Sequence, residues 1–259
     1  MHKRGQITVF VILGILILAV LGIIFYLYGE RLQVELPGTS DFDFSQSEVL
    51  KNYIETCIQD SGSKALDLIG TQGGEINPGF YKTYYGDKLT YLCYTNSFSA
   101  CYNKKPFLAS SIKTEIDEYV RREITSCVLQ LDNVARNNGY ILERGNLNVN
   151  TVINPENTII NVNYPLTIRN DESQVQQSTF VKTFNVPLGR LIEVAEDIVD
   201  AEINADLGMF SHQNYVTLHN GEIQIEAQVI DKTEIYITNL RENNYKFQFA
   251  VQNYVLPFP

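Results

Sequence analysis

SQSEVLKNYIETCIQDSGSKALDLIGTQGG, Ser45 to Gly74, is the stretch on which the fold turns. Leu50, Tyr53, Ile54, Cys57, Ile58, Ser61, Ala65, Leu68 and Ile69 recur at intervals of three and four. That is the spacing of one face of an α-helix over roughly six turns. Ser45-Gln46-Ser47-Glu48 has the form of a capping box, with a serine hydroxyl and a glutamate exchanging bonds with the first turn. Gly62 weakens the helix by ~1 kcal/mol relative to alanine. Gly70 and then Gly73-Gly74 are expected to stop it. This glycine-rich end lacks a Gly-Lys-Ser/Thr and closes a helix rather than opening one. It therefore reads as a tight helix-to-strand turn and not as a phosphate loop.

Further along the chain the pattern returns. Ile112, Ile116, Tyr119, Val120, Ile124, Cys127, Val128 and Leu131 predict a helix over 111–138, ended by Asn137-Asn138-Gly139. Tyr53-Ile54-Glu55-Thr56-Cys57-Ile58 matches Glu123-Ile124-Thr125-Ser126-Cys127-Val128: each sets a cysteine three residues after an apolar isoleucine. Both cysteines fall on buried stripes, so the two helices are expected to pack together.

Between the helices, Phe80–Tyr102 is rich in tyrosine: Tyr81, Tyr84, Tyr85, Tyr91, Tyr94 and Tyr102. Gly86-Asp87 and Asn96-Ser97 supply turn residues, so one or two short strands or an ordered loop are expected. Tyrosines in such a cluster either lie half-buried over a core or form an exposed adhesive surface. On the second reading these six are the candidate binding residues.

After residue 146 the periodicity changes to two. Leu147, Val149, Thr151 and Ile153 alternate with polar residues, Asn154-Pro155-Glu156-Asn157 is a turn, and Ile159–Ile168 returns as a partner strand. Gln174–Asn185 predicts a third strand. Pro187–Asp206 predicts a third helix with proline near its start. One face of it is apolar, and Glu193, Glu196, Asp197 and Asp200 make another face acidic. Those carboxylates either form a solvated face or could hold a hard cation, although calcium prefers loop oxygens. Tyr215–Leu218, Ile223–Ile230, Glu234–Asn239 and Tyr245–Val251 read as further strands. The end, Tyr254–Pro259, is apolar and proline-broken, suited to lie on the sheet or to dock elsewhere. The expected class is α+β. A helical part over 45–145 precedes a mostly antiparallel sheet with one covering helix over 146–259.

Upstream, Pro37 and Gly38 break a linker over 30–44. Before it, Ile7–Tyr28 is an uncharged run of 22 residues. As a helix it reaches about 33 Å, enough for a hydrocarbon core of ~30 Å. Lys3 and Arg4 precede it, so residues 1–5 stay cytoplasmic, residues 6–29 span the membrane and the remainder is exported. A cleaved secretory signal would have a shorter apolar region and a small-residue cleavage site. This run ends instead in Tyr26-Leu27-Tyr28-Gly29-Glu30-Arg31, so it is expected to survive as an anchor in membrane lipid. All 30 acidic residues and 18 of the 20 basic ones follow it, and the net charge is −10. That balance disfavours nucleic acid and anionic lipid surfaces as partners of the exported part.

Lys3-Arg4-Gly5-Gln6-Ile7 resembles the signal of archaeal type IV pilin-like proteins. The resemblance implies a peptidase cut between Gly5 and Gln6 on the cytoplasmic side. It also implies that the apolar helix remains as the mature N-terminus, as an anchor or packed among other pilin-like subunits. Cys57 together with the Leu68-Ile69-Gly70-Thr71-Gln72-Gly73-Gly74 turn resembles uncharacterised membrane-anchored archaeal surface proteins, which carry no known activity.

The chemistry-bearing residues are few. Four cysteines in an exported chain suggest two disulfides, for which three pairings exist. The two helix stripes favour Cys57–Cys127, leaving Cys93–Cys101 across a short loop. Reduced buried thiols are an alternative. Zinc would want ligands paired at two to four residues, and there is no Cys-x-x-Cys. The histidines are His2, His212 and His219, and neither Gly-x-Ser-x-Gly nor His-Glu-x-x-His occurs. The expectation is a non-catalytic structural or adhesive protein of the cell surface, without cofactor or metal. The alternatives are a tethered ligand-binding module and an envelope enzyme built on carboxylates that the fold brings together.

Overall fold

Periodicity of three and four over Ser47–Gln72 folds as helix α1, and over Leu108–Asn137 as helix α2. The computed structural model describes residues 46–204 and 211–253. Lys3, Arg4, Gly5, Gln6, the Ile7–Tyr28 run, the linker and Tyr254–Pro259 lie outside the described residues. Among the described residues no helix is long and apolar enough to cross a membrane. Ser45 is also outside them, and Gln46 rather than Ser45 stands at the N-cap of α1.

Leu50, Ile54, Ile58, Ala65, Leu66 and Ile69 of α1 are buried, as are Ile112, Ile116, Val120, Ile124, Val128 and Leu131 of α2. Cys57 is joined to Cys127, with Cα atoms 6.4 Å apart, and Tyr53 Oη donates to the Cys127 carbonyl at 3.3 Å. Gly70 does not stop α1, as the spacing had suggested. It lies buried inside the helix, where a Cβ would come 2.5 Å from the Lys246 carbonyl oxygen. The helix ends at Gly73, whose φ of 73° is left-handed. Its N–H and that of Gly74 both return to the Ile69 carbonyl.

The strands are β1 (Tyr81–Tyr84), β2 (Asp87–Tyr94), β3 (Tyr102–Asn103), β4 (Ile141–Arg144), β5 (Asn148–Ile153), β6 (Thr158–Arg169), β7 (Gln174–Phe184), β8 (Ile223–Ile230), β9 (Thr233–Leu240) and β10 (Lys246–Gln252). Helix α3 spans Leu188–Ile203 and helix α4 His212–Leu218. The class is α+β as expected, but the single sheet is two. One, antiparallel throughout, has β6 at its centre, with β4 and β5 on one side and β7 on the other. The second has the order β1-β2-β10-β9-β8, with β3 beside β2. Its β2–β10 pair is parallel. The hairpin between the two long helices thus joins the C-terminal strands, and the described residues make one unit.

Helix α1 touches both sheets, meeting β7 of the first and β2 and β10 of the second. A glycine stands at each contact. A Cβ on Gly62 would lie 2.4 Å from Phe184 Cζ, and one on Gly70 would meet the Lys246 carbonyl oxygen at 2.5 Å. Helix α2 lies on β4 and β5, where the Asp117 carboxylate accepts the Thr151 N–H at 2.7 Å. Helix α3 covers the second sheet.

Tyr215–Leu218, expected as a strand, is in α4. The Ser211 hydroxyl accepts from the Asn214 N–H at 3.3 Å, and Tyr215 Oη donates to Asp197 of α3 at 2.6 Å. The cap and that tertiary bond outweigh the β preference of Val216 and Thr217.

Candidate functional site

Alternation along β1 and β2 divides the tyrosine-rich stretch between two faces. Lys82, Tyr84, Leu89 and Tyr91 point away from α1, whereas Tyr81, Lys88 and Thr90 point the other way. On the first face Leu89, Tyr91, Ile235 and Ala250 form a buried floor, with Tyr84, Tyr94, Ile230 and Ile237 packed around it.

A bulge brings Tyr94 to this face. Ala250 pairs with Tyr91 and Val251 with Cys93, so Leu92 is an extra residue and the alternation shifts. Phe80, Tyr91 and Tyr94 then form a three-ring cluster. Centroids lie 4.9 Å apart for Phe80–Tyr91, 4.7 Å for Phe80–Tyr94 and 5.1 Å for Tyr91–Tyr94. Phe80 keeps 46% of its surface in solvent, whereas Tyr91 keeps 7%.

The face is curled. Lys82 Nζ reaches Asp231 Oδ2 at 3.1 Å, and Tyr84 Oη donates to Gln228 Oε1 at 3.1 Å. These bonds join edge strand β1 to the opposite edge, β8 and its turn into β9, across the aromatic floor. Asp231 and Lys232 take positive φ in that turn, and Tyr85 and Gly86 do so in the β1–β2 turn. Tyr91 Oη shares a 2.9 Å bond with Thr233 Oγ1, so the ring is fixed at both ends.

The six candidate tyrosines therefore separate. Tyr84, Tyr91 and Tyr94 meet with Phe80. Tyr102 lies opposite Tyr94 in the β2–β3 pairing and is 67% exposed. Tyr85 sits in the turn, edge-on to Tyr84 at 4.6 Å. Tyr81 is on the other face, under Lys88. Cys93 is joined to Cys101, Cα atoms 5.5 Å apart, and both are buried beneath the β2–β3 pair. Rings packed tilted and edge-on, with the Tyr84 and Tyr91 hydroxyls bonded, present a fixed contact area; no histidine and no carboxylate pair stands among them. Phe80, Ile230 and Ile237 were not among the candidates. Their only sequence signal was apolar character, which the curl turns into a shared surface.

Acidic chemistry collects elsewhere, where α3 meets β9. Tyr236 Oη donates to Glu202 Oε1 at 2.7 Å, and Asn253 Nδ2 donates to the Glu202 backbone carbonyl at 2.7 Å. Burial raises the Glu234 carboxyl, the Glu202 charge adds to that, and a bond from Tyr236 opposes both. Burial lowers His212, with Glu202 pulling the other way. On the α3 face Glu196 is raised by burial and then by Asp200, Asp197 and Glu193. Arg190 and Tyr215 occupy Glu193 and Asp197. Among the described residues no group of three or more His, Cys, Asp or Glu is arranged to hold a metal ion. No protein-family model, curated protein or solved structure matches the chain.

Proposed function

We propose that this chain is an exported, membrane-anchored surface protein that binds a partner without catalysis, through the curled aromatic face around Phe80. Ile7–Tyr28 anchors it, and the pilin-like signal is cut between Gly5 and Gln6. The observation that carries the export reading is the pair of intrachain disulfides, a half-buried one tying the two long helices and a buried one bracing the strand beside the aromatic cluster. Such bonds persist in oxidising compartments. The binding reading rests on the aromatic cluster, since half-exposed rings on a rigid sheet offer large contact area at low entropic cost. Adhesion to a cell-surface partner is the corresponding role.

Mass spectrometry of the native membrane protein tests the first part. A mature chain starting at Gln6 with no alkylatable thiol is expected. A start at Met1 removes the pilin-like processing, and free thiols remove the export reading. Phe80→Ala tests the second part and is expected to reduce attachment of the purified exported part to whole cells of its source. Unchanged attachment refutes the role of this face.

A further inference from the structure

On the opposite side of the β1–β2 hairpin lies a cavity of about 440 Å³, between the end of α1, the hairpin turn and the middle of α2. We propose that it is a binding site for an acidic sugar, a carboxylated monosaccharide or a residue of an acidic polysaccharide. The argument starts from charge. The protein is acidic overall, yet this cavity is lined by two cations, Lys88 and Arg122, and a single carboxylate, Asp87. Each cation is held over an aromatic ring: Lys88 Nζ lies 4.9 Å from the Tyr81 centroid and the Arg122 guanidinium 5.1 Å from that of Tyr119. Ring and cation attract through the ring quadrupole, which positions the charge and leaves its N–H groups for a ligand.

Lys88 makes no ion pair among the described residues, and Arg122 has only a 3.6 Å approach to its neighbour Glu123. Two cations on separate elements, one on β2 and one on α2, can bracket one carboxylate with charge-assisted hydrogen bonds. The remaining wall suits a polyhydroxyl body. Thr71, Gln72 and Asn77 contribute hydroxyl and amide groups, and Tyr119 contributes a ring. The volume falls in the range of small-molecule sites and exceeds what a bare inorganic anion fills.

The site does not depend on the aromatic face of the hairpin, and the experiment separates the two. Galacturonate and its methyl ester, which has the same shape without the charge, are titrated into the folded exported part, followed by amide chemical shifts and calorimetry. Galacturonate is expected to shift Thr71, Gln72 and Lys88. The ester is expected to bind at least about tenfold more weakly, since a charged hydrogen bond contributes on the order of 1.5–3 kcal/mol. Arg122→Met and Lys88→Met are expected to lower the affinity for the acid similarly at unchanged thermal stability. Phe80→Ala is expected to leave it unaltered. Equal binding of acid and ester, no shifts at high millimolar concentration, or wild-type affinity in both cation variants would each overturn the assignment.

Discussion

Replacing Gly70 by alanine sets two effects of opposite sign against each other. Inside a helix, alanine is favoured over glycine by roughly 1 kcal/mol. Gly70, however, is where α1 meets the start of β10. A Cβ there would stand 2.5 Å from the Lys246 carbonyl oxygen and 2.9 Å from Cζ and Oη of Tyr245. The carbonyl belongs to the backbone and cannot rotate away. Tyr245 is held by a 2.6 Å bond from its hydroxyl to the Leu66 carbonyl, and burial raises its phenol further. Forcing atoms into a filled contact costs about 1–3 kcal/mol. Losing the tyrosine bond costs about 0.5–1.5 kcal/mol more. The helical gain recovers part of this, so Gly70→Ala is expected to lose about 2 kcal/mol in urea unfolding. Gly79→Ala is the control, because nothing lies within 4 Å of a Cβ there and its φ is not left-handed. It is expected to be neutral or slightly stabilising. A Gly70→Ala variant as stable as the Gly79→Ala control would refute the close approach of α1 to β10.

The disulfides should differ in weight. Cys57–Cys127 closes a separation of 70 residues and Cys93–Cys101 one of 8. The chain-entropy model gives about 4 and about 2.5 kcal/mol for them. Paired cysteine-to-alanine variants in guanidinium unfolding should follow that order, and the reverse order would show that strain or packing rather than loop closure dominates. Tyr91→Phe removes the bond to Thr233 and is expected to cost about 1 kcal/mol by thermal melting. A wild-type melting temperature would show that the bond does not hold the aromatic floor. Glu234 has its carboxyl raised in the folded state by burial and by Glu202. Its contribution is therefore full below the ordinary carboxylate range and is lost as pH rises through the raised value. Glu234→Gln should flatten the fall in stability on that rise, and an unchanged pH profile would contradict the buried-carboxylate account.

Helices α1 and α2 were legible because each has an apolar face long enough to fix the period. The β5–β6 hairpin was legible because alternation and an Asn-Pro turn agree. Helix α4 was not, since seven residues carry too little periodicity to outweigh Tyr-Val-Thr, and its cap and its bond to Asp197 are tertiary or positional facts. The division into two sheets was hidden for a different reason. It depends on β2 pairing with β10 across more than 150 residues of chain, and strand propensity says nothing about which strand a neighbour will be. The tyrosines were visible as a group, but not their separation onto two faces.

That separation follows from one hairpin. Because its pleat alternates, Lys82, Tyr84, Leu89 and Tyr91 go to the curled aromatic side. Tyr81 and Lys88 go to the side where Arg122 waits on α2. Register fixes both sides at once. The bulge at Leu92 adds Tyr94 to the first side without disturbing the second, because Lys88 and Thr90 precede it. Thr90 anchors that second side, its hydroxyl donating to the Gln72 carbonyl at 2.7 Å where α1 ends. Glu75, just past the end of α1, is held by Lys105 before α2. The hairpin is thus bound to α1 on one face and to the far edge of its own sheet on the other. Any ligand on either face would meet side chains positioned by the fold before it arrives, which is the condition under which few contacts suffice for binding.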